Sequence, residues 1–187
     1  VNFLRGQVLI INKADTASKD ALDELLASVA EFNPRAVVLQ TASRISVEGG
    51  ERIKGKRVLV IEDGPTVTHG GMAYGAGVLA ARQCGATEIV DPRPFAVGSL
   101  KIVFENYPHL TQILPAEGYF PEQLKDLEAT IQRTPCDLVL VATPIDLTRL
   151  ITIPQPVLRV TYRIEDWGEP RLEHLIEDFI RLRIKAG

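Results

Sequence analysis

Short apolar runs alternate with amphipathic segments along the chain. Runs such as Val58-Leu-Val-Ile61 are typical of strands buried on both faces of a parallel sheet. Between the runs, apolar residues recur every three or four positions, which is typical of helices with one apolar face. Predicted strands lie at 7–11, 36–39, 58–61, 88–90, 113–114, 138–141 and 158–162, and predicted helices at 22–30, 72–83, 99–106, 121–132 and 172–182. The alternation predicts an α/β fold, a three-layer parallel sheet of Rossmann-like or P-loop-NTPase-like type with helices on both faces.

A polar segment divides this pattern into two units. Residues 43–56 contain Gly49-Gly50 and few apolar positions, so we expect a linker or a mobile loop there. The predicted units are residues 1–50 and residues 51–187. The chain opens at Val1 and enters a strand within a few residues, and we interpret it as the C-terminal part of a longer protein.

Composition restricts the kinds of partner. The net charge is −3 with no long basic run, so nucleic acid and membrane surfaces gain no support as partners. No apolar stretch approaches the ~20 residues of a membrane span, and no signal peptide is visible. Cys84 and Cys136 match no metal-ligand spacing, and we interpret them as free thiols in a reducing cytoplasm.

The sequence Asn12-Lys13-Ala14-Asp15 directly follows the first predicted strand. It fits the NKxD pattern of guanine-nucleotide-binding domains, in which the Asp carboxylate accepts from two N–H groups on the base edge. Ala42 and Ser43 follow the next strand, where such domains carry a small-residue loop against the same base. We therefore predict that Asn12, Lys13, Asp15, Ala42 and Ser43 bind a nucleotide base. The alternative is an ordinary strand-to-helix turn capped by Asp15.

A glycine-rich turn joins the strand at 58–61 to a helix of small residues. Strand, polar loop and helix form the layout of an anion site, because backbone N–H groups at a helix start favour negative charge. We predict that Thr66, Thr68, Gly70 and Gly71 bind an anionic substrate. Two further glycines, at 75 and 77, each cost the helix about 1 kcal/mol relative to alanine, which indicates close approach by a ligand or a neighbouring strand.

Four charged or titratable residues near this turn are candidates for chemistry. His69 could bind phosphate or transfer a proton, or could simply hold the loop together. Arg93 could clamp a phosphate or carboxylate, or could pair with a neighbouring aspartate for structure alone. Glu62 and Asp63 could hold magnesium, although a structural pair is an open alternative.

Other strand-end loops complete the predicted site. Ser99 and Thr143 lie in two of them and are predicted substrate contacts, since ligands bind at the carboxyl ends of parallel strands. The segment 50–56 fits GxxxxGK but is not a P-loop. Arg57 stands where a magnesium-binding hydroxyl is needed, and the segment leads into a strand instead of opening a helix.

Several motifs together resemble one family. The sequences EDGPTVTHGG, GAGVLAA, VDPRPFAVGS, LPAEGY and ATPIDL occur in an order and spacing similar to the C-terminal half of the predicted GTPases that include cyclic 2,3-diphosphoglycerate synthetase. The resemblance implies a parent protein with an N-terminal α/β region, a P-loop NTPase core and the region seen here. It also implies Mg²⁺ with ATP or GTP as cofactors, and closure of a phosphoanhydride in 2,3-diphosphoglycerate or a similar phosphorylated metabolite.

Three functions are compatible with these patterns. The first is a nucleotide-dependent ligase that is inactive without its P-loop, and the second is a GTP-controlled binding module without ligase activity. The third is a folded scaffold for dimerisation of the parent. We expect a homodimer, with Tyr162, Trp167 and the apolar face of the last helix in the core or at the oligomer contact.

Overall fold

The computed structural model describes residues 3–185, except for the side chains at 182, 183 and 185. Seven strands and six α-helices alternate along this part of the chain. The strands are β1 (Val8–Asn12), β2 (Val37–Val47), β3 (Arg57–Asp63), β4 (Glu88–Ile89), β5 (Leu114–Ala116), β6 (Leu138–Ala142) and β7 (Val157–Asp166). The helices are α1 (Lys19–Phe32), α2 (Gly64–His69), α3 (Ala76–Gln83), α4 (Ser99–Asn106), α5 (Pro121–Arg133) and α6 (Leu172–Lys185). None of the helices in this described part is both long and apolar enough to cross a membrane.

The chain forms two compact units that differ from the predicted linear division. One unit combines residues 1–44 with residues 162–187, and the other comprises residues 45–161. The chain passes from one unit to the other within β2 and again within β7, because both strands span a boundary. Both strands extend beyond their predicted ends, since their apolar residues give way to alternating polar ones without a turn signal.

In the larger unit the sheet has a fully buried centre. β3 pairs in parallel with β6, β4 and β5, and β6 pairs in parallel with β7. Val58, Leu59, Val60 and Ile61 of β3 are completely buried, and they belong to the main hydrophobic core. A strand covered on both faces loses polar contacts with water along its whole length, which explains why its sequence is continuously apolar.

In the smaller unit β1 pairs in parallel with β2, and Ile10 lies beside Leu39. α1 follows β1 and begins at the N-cap Ser18, whose hydroxyl accepts from the Ala21 N–H at 3.3 Å. β1 is less covered than β3, and Val8 and Ile10 are 42% and 52% exposed.

The α/β fold class is confirmed, with a mostly parallel sheet surrounded by helices. The direction of β7 relative to β2 was not foreseen. Thr161 donates to the Ser46 carbonyl and Trp167 to the Gln40 carbonyl, so sequence position rises along one strand as it falls along the other. β7 is therefore antiparallel to β2, and the sheet is mixed.

Two local predictions were wrong. The segment predicted as a polar linker at 43–56 contains the last part of β2 and a short 3₁₀ helix, Gly50–Ile53. The segment 62–71, predicted as a loop, contains helix α2, in which Thr68 donates its hydroxyl to the Gly64 carbonyl one turn earlier at 2.9 Å. Pro65 lies in the first turn of this helix, where a proline removes only an N–H that would lack a helical partner.

Candidate functional site

The Asn12-Lys13-Ala14-Asp15 loop is fastened to β2 by hydrogen bonds. The Asn12 Oδ1 atom accepts from the Lys13 N–H at 2.8 Å and from the Thr41 hydroxyl at 3.1 Å, and the Ala14 N–H donates to the Thr41 carbonyl at 2.9 Å. Lys13 has a left-handed backbone, with φ at 61°. Asn12 therefore joins the end of β1 to the middle of β2, and it holds Lys13 in a conformation that non-glycine residues seldom adopt.

Asp15 is buried with one oxygen left without a partner. Its side chain is 9% exposed, and its Oδ2 atom lies 3.4 Å from Nη1 of Arg44. Its Oδ1 atom is buried and has no hydrogen-bond donor among the described residues. An unsatisfied buried acceptor costs about 1–3 kcal/mol, so this oxygen is available to a donor from outside the described residues.

Arg44 is a residue of this site that the sequence analysis missed. Its guanidinium lies 3.5 Å from the Glu165 carboxylate and stacks over the Trp167 ring at 5.5 Å from the centroid. No local motif marks this arginine, since two of its partners, Glu165 and Trp167, follow more than 100 residues later in the chain. The contact also gives Trp167 a position within the smaller unit.

The predicted small-residue loop against the base is part of a strand instead. Ala42 and Ser43 lie within β2, and Ala42 is completely buried whereas Ser43 is half-buried. They adjoin Thr41, which holds Asn12, so both stay close to the Asn12–Asp15 loop. Their contact with a base stays a prediction.

In the larger unit the predicted anion site at the start of a helix is filled by the protein itself. Glu62, at the end of β3, accepts three backbone N–H groups on one oxygen: Gly75 at 3.2 Å, Gly77 at 2.8 Å and Val78 at 3.2 Å. These are the donors of the first turn of α3. Glu62 thus supplies the negative charge that the helix start favours, in the place where a ligand was predicted.

This arrangement explains the two costly glycines of the helix. A Cβ at Gly75 would lie 2.6 Å from the Glu62 carboxylate, and a Cβ at Gly77 would lie 2.6 Å from the Val60 side chain. The alternative of close approach to a neighbouring strand is therefore the one observed. α3 begins at Ala76 rather than at 72, because the segment before it is used to bring these donors to Glu62.

Burial raises the pKa of Glu62 to about 7, against its ordinary value of 4.5, although the three backbone N–H groups pull the pKa downward. The neighbouring charge of Asp63 raises it further. Desolvation thus exceeds hydrogen bonding here. Glu62 changes its charge near neutral pH, in direct contact with a helix start.

Gly70 and Gly71 end a helix rather than open one. α2 stops at His69, and Gly71 follows with φ at 60°, in the left-handed region that favours glycine. A Cβ at Gly70 would overlap the Thr66 carbonyl oxygen. The two glycines therefore form the turn that leads away from α2, and their contact with an anionic substrate stays a prediction.

A polar cluster lies where β3 and β5 end. Asp63 accepts from the Thr66 hydroxyl at 2.6 Å, and the Thr68 hydroxyl lies 3.3 Å from Nδ1 of the exposed His69. Glu117, in the loop after β5, faces the same group. Burial raises the pKa of Glu117 and the charge of Asp63 raises it further, while nearby His69 and Thr68 oppose the shift. The role of Glu117 was not predicted from the sequence.

The other predicted ligand residues are bonded within the protein. Arg93 forms a two-pronged pair with Asp91, with Nε 2.9 Å from Oδ1 and Nη2 2.6 Å from Oδ2, which is the structural alternative considered above. Ser99 directs both its N–H and its hydroxyl to Asp126 of α5, each at 2.8 Å. The buried Thr143 donates to the Ile145 carbonyl at 2.6 Å. These bonds occupy the groups on which the predicted contacts depended.

The predicted magnesium pair lacks further ligands. Among residues 3–185, the structure brings together no group of three or more His, Cys, Asp or Glu side chains that could hold a metal ion. One oxygen of Glu62 is taken by three N–H groups, so the pair offers few free lone pairs. The residues therefore fit a structural cap better than a magnesium site.

The fold and the strand-end sites together define an α/β protein of Rossmann-like type with a candidate nucleotide-base site. No family model matches the chain. The chain is 50% identical over 180 residues to the protein named "Arginine synthetase ArcE" from Thermococcus kodakarensis (strain ATCC BAA-918 / JCM 12380 / KOD1). The match covers 96% of this chain and 40% of that protein, so the chain spans about two fifths of the length of the curated relative that it matches. The likeness shows a relationship to this part of that protein.

Proposed function

We propose that this chain is part of a nucleotide-dependent synthetase. The observation that carries the proposal is the 50% identity, over almost the whole chain, to a protein whose name is that of a synthetase. A bound nucleoside triphosphate would supply the phosphoryl group that drives the ligation. The chain has no GxxxxGK[ST] sequence, so the phosphate-binding loop of such an enzyme would come from additional polypeptide.

The Asn12–Asp15 loop supports a base-binding role for the smaller unit. The unpaired Oδ1 atom of Asp15 is an acceptor that fits the N–H groups of a base edge, and Asn12 fixes the loop through Thr41. Two adjacent N–H donors are present on guanine, which favours GTP, whereas an adenine base would offer only its amino group. Magnesium would travel with the triphosphate rather than bind at Glu62 and Asp63.

The larger unit favours a nitrogen-containing substrate group over a polyanion. Asp63 and Glu117 carry acidic groups where β3 and β5 end, and the guanidinium of Arg93 is already neutralised by Asp91. A diphosphoglycerate would meet two carboxylates and a single basic residue, His69, in this cluster, which is unfavourable by Coulomb's law. Formation of arginine, the product named for the relative, is therefore our first candidate reaction.

Cyclic 2,3-diphosphoglycerate synthesis is the second candidate, and the five motifs that resemble that family favour it. A GTP-controlled module without ligase activity is the third possibility. It differs from the other two in predicting nucleotide binding with no product from either substrate.

The reverse reaction tests the proposal without requiring the other substrate to be known. The intact synthetase that contains this chain would be incubated with arginine, inorganic phosphate and either ADP or GDP, and the nucleoside triphosphate formed would be measured. Formation of triphosphate that depends on arginine supports the first candidate. Phosphorus NMR of a parallel reaction with 2,3-diphosphoglycerate and a triphosphate would reveal a cyclic product if the second is correct.

The same assay tests the base site. Asp15→Asn should reduce a preference for guanine nucleotide by about tenfold or more, because a charged hydrogen bond worth about 1.5–3 kcal/mol is lost. Asp23→Asn, on the exposed face of α1, is the matched control and should leave the preference unchanged. Equal use of both nucleotides, unaltered by Asp15→Asn, would contradict guanine recognition. Neither product with any nucleotide would contradict the synthetase proposal.

A further inference from the structure

A small cavity lies beside the polar cluster at the ends of β3 and β5 in the larger unit. It has a volume of about 30 Å³ and is lined mainly by residues of β5, the loop after it, and helices α4 and α5. A site needs about 10–15 Å³ to hold one water molecule, so this cavity has room for one or two small non-hydrogen atoms. Leu100, Val103, Pro115 and Leu127 form its apolar walls.

Two residues that line the cavity have buried oxygens without partners. Oε1 of Glu117 and Oε1 of Gln123 are both buried, and neither has a hydrogen-bond donor among the described residues. Ser99 also lines the cavity, but its hydroxyl and its N–H are both directed to Asp126. The polar groups left unsatisfied at this cavity are therefore acceptors.

Gly118 leaves room for the Gln123 side chain beside the loop after β5. A Cβ at Gly118 would overlap the Gln123 side-chain oxygen, so only a glycine lets that amide approach the loop after β5. The glycine and the glutamine thus belong to the same local arrangement as Glu117.

We infer that this cavity binds a small N–H donor group of positive charge, either free ammonium or one terminal nitrogen of a guanidinium or amine side chain. Such a group offers only donors, which matches an unpaired carboxylate oxygen and an unpaired amide oxygen. Its charge is complementary to Glu117, an attraction that a water molecule lacks. The role of this ligand as a nitrogen substrate rests on the proposed synthetase function, whereas its binding does not.

The test is a nitrogen–proton NMR titration of this chain without nucleotide. Ammonium chloride and methylguanidinium chloride would be added separately at constant ionic strength, with tetramethylammonium chloride as a cation that carries no N–H donor. We expect saturable shifts at the amides of Glu117, Gly118 and Gln123 with one or both of the first two salts, and none with the third. Saturation by ammonium alone identifies a free-ammonium site, and saturation by methylguanidinium identifies a side-chain terminus.

Variants identify the groups that bind. Glu117→Gln should weaken the affinity about tenfold or more, because a charged hydrogen bond is lost, and Gln123→Met should weaken it by removing the second acceptor. Glu122→Gln, on the exposed start of α5, is the matched control for charge and should leave the affinity unchanged. The spectra themselves report whether each variant is folded.

The inference is overturned if neither donor salt gives saturable shifts, or if tetramethylammonium gives the same ones. It is also overturned if both folded variants bind as tightly as the parent chain. Saturable binding together with no triphosphate formation by the intact protein would leave the ammonium-type site standing and remove the synthetase proposal. The reverse outcome would remove this site and leave the proposal, so the two failures are distinguishable.

Discussion

β1 and β3 have almost the same apolar sequence and different surroundings. β1 reads Val-Leu-Ile-Ile before Asn12, and β3 reads Val-Leu-Val-Ile before Glu62. All four apolar residues of β3 are completely buried, whereas every second residue of β1 is exposed. An apolar strand sequence therefore indicates that the strand needs to be buried. The elements that pack against the strand decide whether it is buried within the described part of the chain.

The exposed surface of the smaller unit extends beyond β1. Tyr162 and Ile164 of β7 are 63% and 57% exposed. Exposed apolar strands commonly mark surfaces that contact another protein segment. The predicted homodimer stays a prediction, and this surface is where a second copy or additional polypeptide of the synthetase would be sought.

The two strands also present their carboxylates differently. Glu62 at the end of β3 is satisfied by three backbone donors, whereas Asp15 after β1 keeps one buried oxygen free. The three backbone donors hold the Glu62 carboxyl group within the fold, whereas the free oxygen of Asp15 is available to a ligand. Because of this contrast, the Asn12–Asp15 loop and Glu117 are better candidates for ligand binding than the glycine-rich turn.

The largest expected effect is a difference in stability loss between matched substitutions in β3 and β1. Ile61→Ala in β3 should lower the free energy of unfolding by about 2–5 kcal/mol, because it creates a cavity in a packed core. Ile10→Ala in β1 should lower it by less than about 1 kcal/mol, because Ile10 is half exposed already. Urea denaturation followed by circular dichroism measures both. Equal losses that depend on protein concentration would show that β1 is buried by self-association, which would break the comparison.

A smaller effect should appear in the pH dependence of stability. The pKa of Glu62 is about 7 in the folded protein against an ordinary value of 4.5, so between these values the folded state binds a proton that the unfolded chain has lost. The contribution of Glu62 to stability should be highest at the acidic end of this range and fall by about 2–3 kcal/mol as the pH rises through 7.

Denaturation at several pH values checks this expectation. Glu62→Gln should remove this fall in the free energy of unfolding between pH 5 and 8. The exposed control Glu51→Gln should leave the pH dependence of stability unchanged. An unchanged slope in Glu62→Gln would show that another group governs the pH dependence. It would also weaken the contrast between the capped and uncapped carboxylates.

The smallest effect concerns Arg44 in the smaller unit. Arg44→Ala should cost about 1 kcal/mol, because the pair with Asp15 and the contact with Trp167 are lost but half of the arginine side chain is exposed. Arg44→Lys should retain the charge and lose the planar stacking, giving an intermediate value. Trp167 fluorescence during urea unfolding reports both. A loss above about 3 kcal/mol would place Arg44 in an effectively buried network and reduce the difference between the units.

Local sequence patterns were sufficient to locate the polar loop after β1 but did not reveal the partners of Glu62. The Asn12–Asp15 loop was predicted because an apolar run gives way abruptly to polar residues, and that signal depends only on neighbours in the chain. The role of Glu62 was missed because its partners, Gly75, Gly77 and Val78, form a helix start that equally suits an external anion. Sequence alone does not distinguish a carboxylate of the protein from a carboxylate or phosphate of a ligand, since the N–H groups bind either.

The sequence by itself determined the alternation of strands and helices, and hence the α/β class, because hydrophobic periodicity is a local property of the chain. It also indicated that a ligand or a neighbouring strand comes close to Gly75 and Gly77. The tertiary structure decided what approaches them, which strands are covered on both faces, and that residues 162–187 return to the unit of β1. Those outcomes depend on contacts between residues far apart in the chain, and long-range pairing leaves no periodic trace in the sequence of either partner.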